Sequence, residues 1–174
     1  ILVLLLAGPA FAQESDERSP FVDELLALLA QEGWPADEVA ALASSAASFD
    51  WTEAGEANPE AVALALSYYR DAGADRGPAD DGSAADAASV AHELALTAMA
   101  MQQSGFDAVE VARATLEGTR DALSEAQRSS ADDDDPDIGR EVRERVISRV
   151  REHVREVAGG RGPEVAREVM GRIG

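Results

Sequence analysis

Apolar residues recur along this chain at intervals of three and four, and Gly or Pro punctuates each run, a pattern that predicts helices and no strands. Phe21, Val22, Leu25, Leu26, Leu28 and Leu29 make the first predicted helix apolar over most of its girth, so it is expected to be central. It opens at Ser19-Pro20, a capping residue followed by proline at the first helical position, and stops at Gly33. A second helix is expected from Pro35 to about Ser48, and a third from Pro59 to Ala72 with Val62, Leu66 and Tyr69 on one face. Gly73 to Gly82 reads as a linker. The fourth helix opens at Ser83, carries Val90, Leu94, Met99 and Met101, and ends at Gly105; the fifth spans about Ala108 to Arg128. An acidic linker covers 129–137. A sixth helix spans about Ile138 to Ala158, and a short last one Pro163 to Arg172.

One segment recurs. Gln31 to Ala40 matches Gln103 to Ala112 at an offset of 72, with six of ten positions identical and an aromatic kept at Trp34 and Phe106. A Gly (Gly33, Gly105) closes one helix, and the aromatic can staple onto Val39 or Val111 in the first turn of the next. Glu38 and Glu110 stand where a capping box places its carboxylate. Asp107 supplies the cap in the second copy, whereas Pro35 replaces it in the first and leaves that box incomplete. The expected fold is therefore all-α: a bundle of two similar helix-hairpin units, about 20–48 and 92–121, within an acidic domain 19–128, plus an Arg-rich amphipathic segment 138–174.

Charge divides the chain. Residues 13–139 hold six Arg against 28 Asp and Glu, a net of −22, while 140–174 hold nine Arg against six Glu, a net of +3. A body this acidic repels phosphate backbones, so no nucleic-acid partner is expected. The segment Ile1 to Ala12, apolar, broken at Gly8-Pro9 and followed by the polar Gln13-Glu14-Ser15, reads as the remnant of a signal peptide cut after Ala12. It falls short of the roughly 20 apolar residues of a spanning helix. The expected mature chain starts with a disordered leader, 13–18, and is exported to the periplasm or secreted. With no cysteine in the sequence, it has neither disulfides nor a lipid-anchored cysteine.

Catalytic and metal chemistry find little purchase. Asp133, Asp135, Asp137 and Glu144 fall at positions 1, 3, 5 and 12 of a calcium loop, but Ile138 stands where the turn needs Gly. His92 and His153 have no second histidine at ligand spacing, and no Ser lies in a nucleophile elbow. No catalytic residue, metal ligand or cofactor is expected. The most suggestive element is the sixth helix, where Val142, Val146, Val150, Val154 and Val157 form a narrow stripe among arginines and glutamates. Val and Ile are indifferent helix formers, so this helix must pack against something. Docking on its own bundle comes first, with a protein partner or a second copy next; a membrane surface is disfavoured by the mixed Arg/Glu face. The expected function is protein–protein contact, as a scaffold, adaptor or chaperone-like module. The alternative is a small envelope-directed hydrolase with an Asp/Glu pair near Trp34, Trp51, Tyr68 or Tyr69.

Overall fold

The computed structural model describes residues 19–73, 81–129 and 138–173. The expected signal remnant 1–12, the leader 13–18, most of both linkers and the calcium-loop aspartates lie outside the described residues. Among those described, the helices are α1 (Pro20–Gln31), α2 (Ala36–Ala46), α3 (Pro59–Gly73), α4 (Asp81–Gln103), α5 (Ala108–Ser129), α6 (Ile138–Gly160) and α7 (Pro163–Ile173), with one 3-10 turn at Thr52–Ala54 and no strand. The chain is an all-α bundle.

Helix ends move for identifiable reasons. α2 stops two residues before Ser48 because Ser48 and Phe49 donate their N–H groups to Ser45 and Ala46, three-residue bonds that tighten the last turn. α4 begins ahead of Ser83, since one Gly at position 82 costs only about 1 kcal/mol of helix propensity. α6 runs through Gly159-Gly160, and the left-handed turn comes at Gly162, φ 124°.

α4 occupies the centre, packed against α2, α3, α5, α6, α7 and the 3-10 turn, whereas α1 packs against α2 and α3. The central position expected for α1 is therefore taken by α4. Its surface is largely alanine: Ala88, Ala91, Ala95 and Ala98 are buried together with Val90, Leu94 and Met101. Small side chains let neighbours approach from every side, at the cost of the one-sided apolar stripe that marks an amphipathic helix. Direction follows from two contacts. The Asn58 N–H, at the start of α3, donates to Gln102 Oε1 at the end of α4, 3.0 Å away. α5 also begins at that end, after a tight corner, so α3 and α5 run parallel to each other and antiparallel to α4.

Candidate interaction surfaces

The valine stripe of α6 is inside the molecule. Val142, Val146, Val150 and Val154 are buried, and Val157 is half-buried against the same core. α6 lies in the groove between α4 and α5, with α7 folded back on it. The backbones come close at Gly118 of α5, where a Cβ would stand 2.5 Å from the Cα of Val150. Only glycine lets the two backbones meet there.

Charged and polar groups on both flanks hold α6 in that groove. On the α4 side, Arg143 pairs with Asp86 at 2.7 Å and Arg151 with Glu93 at 2.9 Å. On the α5 side, Arg149 reaches Glu125 at 2.8 Å and His153 donates to Asp121 at 2.8 Å. Successive pairs advance along both helices in the parallel sense on α4 and in the antiparallel sense on α5, so they also set the register. The Arg149 hydrogen bond holds the Glu125 carboxyl below the ordinary glutamate range, and Glu125, then Glu152, raises the arginine in return. Any partner meeting α6 thus faces its outer row, which includes Glu141, Glu144, Ser148, Glu152 and Arg155, rather than its valines. An open hollow of about 460 Å³ beside that row is lined by Glu125, Glu141, Glu144, Arg145, Ser148 and Arg149.

The two corners share their geometry. Gly33 and Gly105 adopt φ of 87° and 83°, and the N–H groups of Trp34 and Phe106 return to the carbonyls of Leu29 and Met101 at 3.1 Å each. An arginine from a later element then closes each corner. Arg70, at the end of α3, lies 5.2 Å from the Trp34 ring and 2.7 Å from Glu38. Arg161, between α6 and α7, lies 3.9 Å from the Phe106 ring, donates to the Gly105 carbonyl at 2.9 Å and pairs with Glu110. At the second corner Asp107 accepts from the N–H groups of Val109 and Glu110, and Glu110 accepts from the Asp107 N–H at 3.0 Å, a complete capping box. That backbone bond, followed by Arg161, depresses the Glu110 carboxyl. Pro35 makes no side-chain cap at the first corner, where Glu38 turns to Arg70 instead. Val39 is half-buried and Val111 fully buried. The helices joined differ in length, 12 and 11 residues against 23 and 22, so what recurs is the corner.

The aromatics proposed to line a hydrolase groove serve packing. The Trp34 indole N–H donates to Ser67 Oγ at 3.0 Å and that of Trp51 to the Ala46 carbonyl at 2.8 Å, with both rings buried. Trp51 stacks on Phe21, and His92 of α4 sits against Trp51 and Phe49 while donating to the Asp50 carbonyl at 2.7 Å. Tyr68 is half-buried beneath the Arg120 guanidinium, 5.1 Å from its ring. None of these rings lines the hollow beside α6. No group of three or more potential metal ligands occurs among the described residues, and no described helix is long and apolar enough to cross a membrane.

Two surface features stand out instead. From Ser19 to Tyr69 the chain carries nine acids and no Arg, Lys or His. Eight of the nine are exposed, and among the described residues only Glu38 of the nine is engaged in an ion pair. The second feature has no counterpart in the sequence-based expectations: Leu64 on α3 and Val109 on α5 are exposed, 47% and 73%, and Leu116 is half-exposed. Their signal lies in phase, since each stands off the buried face of its helix. Comparison with protein-family models, with curated proteins and with solved structures finds no match to this chain.

Proposed function

We propose that this chain is an exported α-helical interaction module, a scaffold, adaptor or chaperone-like protein, that engages a basic partner through the acidic surface of α1, α2 and the start of α3. One observation carries this reading. Arg143, Arg149, Arg151 and Arg161 of the C-terminal segment are spent on acids of α4 and α5, while the acids of residues 19–69 other than Glu38 form no ion pair among the described residues. A surface of one sign speeds encounter with the opposite sign and repels its own kind. Export rests on the Ile1–Ala12 pattern, and N-terminal sequencing of the released protein should begin at Gln13.

The binding test is fluorescence anisotropy with a labelled oligo-arginine peptide. Binding should weaken steeply with salt, and a variant carrying Asp23→Asn, Glu24→Gln, Asp37→Asn and Glu56→Gln should lose several-fold in affinity. An unchanged affinity in that variant would place the basic partner elsewhere and refute the reading.

A further inference from the structure

α3 and α5 lie side by side and run parallel, and the Arg120 guanidinium over the Tyr68 ring fixes their register. Four residues earlier on each helix stand Leu64 and Leu116. At 100° per residue, Leu64 lies between the solvent face of α3 and the edge that carries Tyr68. Leu116 lies on the α3 edge of α5, because Gly118, Asp121 and Glu125, which meet α6, point the other way. The two leucines therefore open onto one groove. Val109 continues it along α5, two turns before Leu116, and Tyr68 closes the far end. From Val109 to Arg120 the strip is about 16 Å long, three turns of helix.

The charges beside the strip are uneven. Along α3 it is edged by the exposed Glu60 and Asp71, with Glu53 and Glu56 on the turn leading in. Along α5 the edge is mixed, Arg113 standing 3.7 Å from Glu117 and Arg120 lying over Tyr68. Resting on the interaction reading above, we propose that this α3–α5 groove receives an amphipathic helix from a partner protein, its leucine-like stripe seated on Leu64, Leu116 and Val109 and its Arg or Lys flank against the acids of α3. Charge complementarity selects that occupant. A second copy would bring the same acids, and its own valine-striped helix is already buried in its own bundle. An anionic bilayer would be repelled by the same acids.

The experiment is fluorescence anisotropy with a labelled Leu/Lys helix of about 14 residues, long enough to cover the strip. Three other peptides accompany it: the same composition scrambled, the same stripe with Glu for Lys, and oligo-arginine. The striped basic helix should bind about tenfold tighter than its scramble, and Leu64→Ser with Leu116→Ser, which leaves charge unchanged, should remove that advantage. Val109→Ser, at an exposed position, gives a smaller loss in the same direction and guards against a folding effect in the double variant, as do helical circular dichroism and Tm. Equal binding of the striped and scrambled peptides, or an unaltered preference in both variants, overturns the groove while leaving the acidic reading in place if oligo-arginine still binds. Failure of all basic peptides overturns both. Binding of the Leu/Glu helix as tight as that of Leu/Lys overturns the basic character of the partner.

Discussion

Gly118 and Gly171 both sit inside helices, and their surroundings differ enough to reverse the sign of one substitution. At Gly118 a methyl group would meet the Val150 Cα at 2.5 Å and its backbone nitrogen at 2.8 Å, atoms that move only if α6 moves. Gly118→Ala is therefore expected to destabilise the protein by roughly 1–3 kcal/mol, the range for forcing added volume into packed structure. Around Gly171 of α7 nothing lies within 4 Å of the added carbon. There Gly→Ala removes only backbone freedom from the unfolded chain and should stabilise by about 0.5–1 kcal/mol. Urea denaturation of the two variants beside the parent chain checks both signs, and a Gly118→Ala midpoint equal to the parent's would contradict the close crossing of α5 and α6. The sequence gives little warning of this difference. Gly118 reads as a propensity defect in an Ala- and Thr-rich helix, and only the neighbour's position makes it a contact.

At the scale of the element, the valine stripe and its docking on the bundle were legible, and the groove that receives it was not. Spacing alone put Val142, Val146, Val150 and Val154 on one face and required something to bury it. The buried surface of α4, spread around its girth on alanines, offered no stripe to pair with, so the groove between α4 and α5 had no signature of its own. The corners show the same limit. The Gly-aromatic-Glu pattern was readable within ten residues, but Arg161 lies 51 residues from Glu110, and nothing local announces it. The docking of α6 should depend on acid in a defined direction. The carboxyls of Glu125 and Glu110 are depressed by hydrogen bonds that exist only in the fold. A carboxyl depressed on folding contributes stability above its ordinary value, 4.5 for glutamate, and loses it as pH falls through the folded value. Arg149→Met should then lower the urea midpoint at pH 7, and the gap from the parent should close as pH drops below 4.5. A gap independent of pH would mean that Arg149 acts by packing its stem rather than by pairing with Glu125.

Over the whole molecule, attraction at α6 and repulsion elsewhere respond to salt in opposite ways, which decides the last prediction. Added salt weakens the exposed pairs, among them Arg149–Glu125, whose side chains are 38% and 40% accessible, and Arg151–Glu93. Pairs so placed are worth little, because water already screens them. The same salt also screens the repulsion of a chain with a formal net charge of −19, most of it on one side of residue 140. That repulsion sums over many carboxylates within a few Debye lengths of one another, about 10 Å at 0.1 M, and it is absent from most of the expanded unfolded chain. Repulsion among the acids should therefore outweigh the attraction at α6. Raising NaCl from about 10 mM to about 500 mM should increase Tm by a few degrees, an energy of roughly 1 kcal/mol at this chain length. The charge-neutralised variant at residues 23, 24, 37 and 56 should start from a higher Tm and gain less. Thermal melts followed by circular dichroism measure both. A Tm that falls with salt would show that the arginine pairs of α6, rather than the acids of α1 and α2, dominate the electrostatics of the fold. The acidic surface would then carry no standing cost for a basic partner to relieve.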